Sequence, residues 1–190
     1  MKKRIIFLTL FVLLIYVISF AGKCAYSQLP IGTGNKKLRI FVTSVSTNGF
    51  LGALGGIAGA DALCAGDANN PGGGIFKAMI MSPSRHLSLD WVLQPDTKYY
   101  RTDGTTCIGQ ACPAKIFIFP LSNQIETSLH QVWTGMDGAG NPHSDNCNGW
   151  TDNGGFMGAR GNSNSLNTEV YNNSSDPCNM PLKLYCVEQP

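Results

Sequence analysis

Cysteine is the residue type with the clearest chemistry in this 190-residue sequence, which contains seven of them. Six follow residue 27: Cys64, Cys107, Cys112, Cys147, Cys178 and Cys186. An even number in an exported chain predicts disulfide bonds, although six cysteines allow 15 pairings and spacing alone does not choose among them. A metal site is disfavoured because there is no Cys-x-x-Cys pair and the three histidines lie far apart in sequence.

A second possible chemistry comes from the oxygen-bearing side chains between residues 137 and 153. Asp137, Asn141, Asp145 and Asp152 are candidate calcium ligands, because calcium binds six to eight oxygens. The same residue types also form turns, and their spacing does not match an EF-hand loop. Turn formation is therefore the favoured interpretation, and no cofactor is predicted apart from this calcium alternative.

Nucleophilic catalysis has little support in the sequence. Neither Gly-x-Ser-x-Gly nor His-Glu-x-x-His occurs, so we assign no catalytic residue and predict a protein that is not an enzyme. Asp61 lies within a predicted helix, where we expect a structural hydrogen-bonding group and not a general base. A secreted hydrolase is the weakest alternative.

Residues 1–27 have the layout of a secretory signal peptide. A basic start is followed by an apolar run from Ile5 to Phe20 and by a plausible cleavage site after Ser27. The apolar run is shorter than the roughly 20 residues of a membrane span. We therefore expect a secreted or outer-surface protein, or a periplasmic one. An uncleaved anchor, or lipid attachment at Cys24, is the alternative.

Cleavage changes the charge of the protein. Removing Lys2, Lys3, Arg4 and Lys23 leaves 10 basic against 12 acidic side chains, so the formal net charge changes from +2 to −2. A chain without a basic surplus gives no support for a nucleic-acid partner.

The remaining chain predicts a linker at 28–37 and one α+β domain at 38–190. Apolar and β-branched runs predict strands at 38–43, 76–81, 131–134 and 182–188, and apolar residues at steps of three and four predict a helix at 57–68. In the last strand, Leu182, Leu184 and Cys186 are expected on one face, and Lys183, Tyr185 and Val187 on the other. The Asn/Ser-rich stretch 161–175 is expected to be a surface loop.

The middle of the chain, 82–131, is interpreted as a variable insertion. Short strands are possible at 91–93, 99–101 and 115–119. Cys107 and Cys112 lie five residues apart, so a local disulfide is their simplest pairing.

Several short motifs occur together in a specific order: Gly-Ile-Ala-Gly-Ala-Asp-Ala-Leu-Cys at 56–64, Phe-Lys-Ala at 76–78, Val-Trp-Thr-Gly at 132–135, Cys-Asn-Gly-Trp at 147–150, Cys178, and Tyr-Cys-Val-Glu at 185–188. In this order they resemble the endostatin domain of certain collagens. They resemble still more closely the bacterial endostatin-like family of leptospiral outer-surface proteins.

The resemblance implies a C-type-lectin-like α+β fold, with one or two helices against short, mostly antiparallel strands and long loops. It implies the disulfides Cys64–Cys186 and Cys147–Cys178, which leaves Cys107 with Cys112, and it places Trp133 and Trp150 in the core. It also implies an adhesion or interaction domain whose partners are host extracellular-matrix proteins such as laminin and fibronectin, or complement regulators and plasminogen. A calcium-dependent carbohydrate-binding lectin is the alternative function.

Overall fold

The structure is a computed structural model that describes residues 37–190. The predicted signal peptide, Cys24 and the linker as far as residue 36 lie outside the described residues. Between 37 and 190, no helix has the length and apolar character needed to cross a membrane.

The strands and helices are short. The strands are β1 (Leu38–Val42), β2 (Phe76–Ala78), β3 (Lys98–Tyr100), β4 (Cys107–Gln110), β5 (Gln131–Trp133), β6 (Met157–Asn162), β7 (Ser174–Pro177) and β8 (Tyr185–Glu188). The helices are α1 (Gly56–Gly66), a four-residue turn α2 (Cys147–Trp150) and a 3-10 turn at Thr168–Val170. This architecture confirms the α+β class.

The strands form two sheets that are mostly antiparallel. The five-stranded sheet has the order β2-β8-β1-β3-β4, in which only the β1–β3 pair is parallel. The three-stranded sheet has the order β5-β6-β7. Lys183, just before β8, is bridged to Val132 of β5, so the chain leading into β8 connects the two sheets.

The two faces of the large sheet are covered by separate hydrophobic clusters, because successive side chains of a strand point to opposite faces. Leu184 and Cys186 belong to one cluster, whereas Tyr185 and Val187 belong to the other. We call the first the cross-linked core, since it contains Cys64, Cys147, Cys178 and Cys186. We call the second the tyrosine core, since it contains Tyr99, Tyr171 and Tyr185. The alternation predicted for 182–188 is confirmed.

The middle segment, 82–131, belongs to the fold, since it contributes to the large sheet and to the tyrosine core. It supplies β3 and β4 to the large sheet. The apolar residues of 91–93 and 115–119 do not form strands, but Val92, Leu93 and Phe117 are buried in the tyrosine core. Their apolar runs therefore signalled burial and not extended structure, an ambiguity that periodicity does not resolve for short runs.

Two disulfides join described residues, Cys64–Cys186 and Cys147–Cys178, and they are the pairs that the resemblance implies. The predicted Cys107–Cys112 bond is wrong, since Cys107 carries a free, half-buried thiol. Residues 107–110 form strand β4 and not a loop, and Cys112 is disulfide-bonded, but not to Cys107. The strand alone spans about 10 Å from Cys107 to Gln110 at the usual rise, and bonded cysteines need Cα atoms within about 7 Å.

The stretch 161–175 is also more ordered than expected. Val170 and Tyr171 are fully buried, and β7 begins at Ser174. The Tyr171 hydroxyl accepts a hydrogen bond from the backbone N–H of Phe117 at 2.6 Å. The prediction of a surface loop is wrong because two large apolar side chains within this polar stretch contribute to the core.

Candidate functional site

The polar loops that follow β5 are organised by the turn α2. All four of its residues have positive φ: 50° at Cys147, 55° at Asn148, 70° at Gly149 and 67° at Trp150. The Asn146 side chain accepts a hydrogen bond from Gly149 N–H at 2.8 Å, and its carbonyl accepts one from Trp150 N–H at 2.7 Å. A left-handed backbone costs roughly 1–2 kcal/mol per non-glycine residue. The turn therefore depends on its tertiary contacts.

The disulfide and the two tryptophans provide those contacts. Cys147 is bonded to Cys178, and both are buried. The Trp150 indole N–H donates to Met81 O at 2.7 Å, and the ring centroid of Trp150 lies 5.7 Å from that of Trp133. The Trp133 indole N–H donates to Thr47 O at 3.0 Å. Both tryptophans are completely buried, with their polar atoms satisfied, and so form part of the core.

Glycine allows the chain to approach this disulfide closely. A Cβ atom at Gly158 would lie 2.8 Å from Cys147 Sγ and 2.7 Å from Cζ3 of Trp133. A Cβ at Gly49 would lie 2.9 Å from Cβ of Cys178. Any larger residue at either position would displace the bridge or the indole ring.

The four candidate calcium ligands lie in turns. Asp137 Oδ1 accepts the N–H groups of Ala139 and Asn141, and Oδ2 accepts the Asn141 side-chain amide at 2.8 Å. Asp152 Oδ1 accepts Gly154 N–H at 2.7 Å. Turn chemistry therefore accounts for Asp137, Asn141 and Asp152.

The fourth candidate, Asp145, is next to a histidine. Its backbone N–H donates to His143 Nδ1 at 3.0 Å, and its carboxylate lies 3.7 Å from the same nitrogen. Within the described part of the chain, no group of three or more His, Cys, Asp or Glu side chains is placed to hold a metal ion.

Three large apolar side chains are exposed around the Cys147–Cys178 disulfide: Phe156 at 51 %, Met157 at 40 % and Met180 at 43 %. Cys178 N–H donates to Phe156 O at 3.0 Å, Met157 pairs with Pro177, and Met180 N–H donates to Pro177 O at 2.9 Å. We call this surface, residues 147–157 and 176–180, the disulfide loop face. Its apolar side chains are held on hydrogen-bonded backbone.

Asp61 takes part in an ion network around the buried Arg85. Its carboxylate accepts two hydrogen bonds from Arg85, each 2.7 Å long, and one from Ala78 N–H at 2.9 Å. Arg85 is 1 % exposed and also donates to Asp90. Burial by itself would lower the pKa of Arg85, but the bonds to Asp61 and Asp90 raise it above its ordinary value. Asp61 thus connects α1 to the 82–90 segment, and Arg85 is the partner that sequence reasoning missed.

The three histidines occupy separate places. His86 Nδ1 lies 3.1 Å from the Ser88 hydroxyl, a local contact between residues two apart in a turn. His143 is in the loop described above. His130 lies at the end of the chain leading into β5, where its backbone N–H donates to Ser163 Oγ at 2.8 Å.

A cleft of about 280 Å³ opens beside His130. Three short segments line it: Ser46, residues 129–131 and residues 181–183. They are distant in sequence and meet because Leu182 N–H donates to Thr47 O at 3.0 Å and Lys183 N–H donates to Gln131 O at 3.1 Å. No sequence motif predicts this cleft, since each of the three segments has the composition of an ordinary strand or loop.

One family model matches the chain, over residues 47–166, and that family is described as "Protein of unknown function (DUF1554)". No curated protein matches the chain. The matched region includes α1, the middle segment and α2. Each of the two disulfides described above joins a cysteine inside the match to one beyond it. Since the match covers well over half of the 190 residues, the chain belongs to this family of proteins of unknown function.

Proposed function

We propose that this protein is an exported, non-enzymatic adhesion or interaction domain that binds other proteins. The partners implied by the resemblance are host extracellular-matrix proteins such as laminin and fibronectin, or complement regulators and plasminogen. The observation that carries the proposal is the disulfide loop face, where Phe156, Met157 and Met180 are exposed on a backbone fixed by a disulfide.

Exposed aromatic and methionine side chains are typical of the centres of protein interfaces. Isolated exposed apolar residues are common and carry little information, but these three lie on backbone segments that are hydrogen-bonded to one another beside one disulfide. A fixed backbone lowers the entropy lost on binding, so a rigid patch binds more tightly than a mobile one. The left-handed turn α2 is held in place by the same contacts.

The charge distribution supports a protein partner over a polyanion. The arginines are dispersed and each is engaged: Arg39 pairs with Glu188, Arg160 with Asp176, and Arg101 donates to Gln124 O. Arg85 is buried between two aspartates. Binding to a polyanion depends on clustered, exposed cations, which these four residues do not provide.

We also propose that the domain is C-type-lectin-like, as in endostatin. Support comes from the two nested disulfides, one inside the sequence span of the other, and from the α+β arrangement with few helices. No specific observation favours the calcium-dependent lectin alternative, because turn contacts account for most of the candidate oxygens.

The proposal is tested by solid-phase binding of the purified exported protein to laminin, fibronectin, plasminogen and a complement regulator. We expect saturable binding to at least one of them. Phe156→Ser should weaken that binding about tenfold or more, since a buried aromatic anchor is worth more than 1.4 kcal/mol. The matched control is Ile75→Ser, since Ile75 is 70 % exposed and lies outside the disulfide loop face.

Three results would count against the proposal. The first is no saturable binding to any of the proteins, and the second is equal binding by the reduced and unfolded protein. The third is an equal loss of binding in Phe156→Ser and Ile75→Ser. A thermal melt in millimolar calcium and in chelator separates the alternative. We expect the same midpoint in both, whereas a higher midpoint in calcium would favour the lectin.

A further inference from the structure

The cleft between Ser46, 129–131 and 181–183 differs from the disulfide loop face in both chemistry and position. We propose that it binds an extended acidic segment of a partner protein, with one leucine-sized side chain of that segment inserted between Leu129 and Pro181. This inference rests on the proposed function for the existence of a protein partner. The cleft itself is argued from its own charge, apolar rim and backbone.

The charge of the lining favours an acidic ligand. Lys183 is its permanently charged residue, and the described lining contains no Asp or Glu. Lys183 Nζ donates to Thr43 O at 2.8 Å and to Ser44 O at 3.0 Å, so carbonyl oxygens hold the ammonium group in place without neutralising it. A fixed cation in a concave site attracts acidic ligands and disfavours basic ones.

The rim of the cleft is apolar. Leu129 is 59 % exposed and lines the cleft, while Val45, next to the lining residue Ser46, is 54 % exposed. Leu182 contributes a buried apolar floor. The volume of about 280 Å³ is just below the roughly 300–1,000 Å³ of small-molecule pockets. It therefore suits one or two side chains of a peptide better than a whole cofactor.

The backbone of the floor is already paired on both sides. Leu182 bonds to Thr47 on one side, while Lys183 N–H donates to Gln131 O and Lys183 O accepts Trp133 N–H on the other. A ligand segment cannot add to this floor as a further strand, because strand addition needs unpaired backbone groups. Recognition is therefore through side chains, with Ser46, His130 and Gln131 supplying the polar contacts.

The test uses the purified exported protein and three labelled peptides: Gly-Glu-Leu-Glu-Gly, Gly-Glu-Gly-Glu-Gly and Gly-Lys-Leu-Lys-Gly. Binding is followed by NMR shifts of backbone amides. We expect the first peptide to shift the amides of 44–46, 129–131 and 182–183. Loss of its leucine should weaken binding about fivefold or more, and the change to lysine about threefold or more.

Substitutions at Leu129 and Gln131 test the apolar rim and the charge of the cleft, and each has a matched control. Leu129→Ser should weaken binding of the acidic leucine peptide about threefold or more, whereas Leu54→Ser, at a side chain 71 % exposed outside the cleft, should not. Gln131→Glu places a carboxylate beside the Lys183 ammonium group and should abolish the preference for the acidic peptide over the lysine peptide. Gln110→Glu on β4 adds the same charge elsewhere and should leave the preference unchanged.

The proposal is overturned if millimolar acidic leucine peptide leaves the cleft amides unshifted, or if the lysine peptide binds equally well. It is also overturned if a peptide of residues 28–36 of this chain binds the cleft more tightly, since the occupant would then be the protein's own segment. If the protein binds a host protein but none of the peptides, only the proposed role of the cleft is contradicted. If the acidic leucine peptide binds in the cleft but no host protein binds, only the proposed function is contradicted.

Discussion

The two faces of the large sheet are stabilised in different ways. The cross-linked core on one face contains both disulfides formed between described residues, together with Trp133 and Trp150. The tyrosine core on the other face is larger and contains Tyr99, Tyr171 and Tyr185, whose hydroxyl groups are buried with their rings. The first contains four disulfide-bonded cysteines, whereas the second contains one, Cys112, among many apolar side chains of the middle segment.

The two faces are stabilised differently because they pack against different parts of the chain. The cross-linked core supports long polar loops that contribute few apolar side chains, so closing the chain by disulfides offsets a small core. The tyrosine core receives many apolar side chains from the middle segment and therefore depends on close contact. The Tyr99 hydroxyl accepts the N–H of Gln94 and the Tyr171 hydroxyl accepts that of Phe117. Leaving such a buried polar group unsatisfied costs roughly 1–3 kcal/mol.

The largest loss of stability is expected when a disulfide of the cross-linked core is removed. Replacing Cys64 and Cys186 by alanine opens a loop with a sequence separation of 122 residues, whereas replacing Cys147 and Cys178 opens one of 31. The loop-closure estimate gives losses in the free energy of unfolding of about 5 and about 4 kcal/mol. Guanidinium denaturation under non-reducing conditions measures both. A larger loss from the second pair would show that the left-handed turn contributes more than loop closure does.

The next effect concerns the tyrosine core and uses two matched substitutions. Tyr171→Phe removes the acceptor of Phe117 N–H and leaves that buried donor unsatisfied, so the free energy of unfolding should fall by about 1–3 kcal/mol. Within residues 37–190, the buried hydroxyl of Tyr185 has no hydrogen-bond partner. Tyr185→Phe should therefore be neutral, or stabilising by up to about 1 kcal/mol. Equal losses in urea denaturation would contradict this contrast.

The smallest effect concerns the ion network that connects α1 to the middle segment. Burial by itself would raise the pKa of Asp90, but hydrogen bonds from Lys77 and Arg85 hold that pKa below its ordinary value. A lowered folded-state pKa gives stability that is present above about pH 4 and is lost as the pH falls through the folded value. Because Asp90 is 44 % exposed, the contribution should stay below about 1 kcal/mol.

Urea denaturation at pH 6 and pH 3 measures whether the contribution of Asp90 to stability falls as the pH falls. The wild type should lose more stability between the two pH values than Asp90→Asn does, because the variant has no carboxylate to protonate. An equal loss in both proteins would mean that Asp90 does not contribute to the joint between α1 and the middle segment.

Sequence reasoning succeeded where a residue's neighbours in the chain determine its environment. The alternation at 182–188 was predictable because strand geometry fixes which side chains share a face. The Cys107–Cys112 pairing failed because the same six residues suit a loop or a strand, and pairing with β3 selects the strand. The 161–175 stretch failed because Tyr171 finds its partner Phe117 54 residues away.

By itself, the sequence determined the α+β class, the opening and closing strands, the helix that carries Cys64, and the presence of disulfides, although not that Cys107 is free. These follow from local periodicity and residue type, which act over a few residues. Only the tertiary structure decided that the middle segment joins the large sheet, that Arg85 binds Asp61, and that Ser46, Gln131 and Lys183 line one cleft. Each of these depends on contacts between distant parts of the chain, and local patterns carry no record of such contacts.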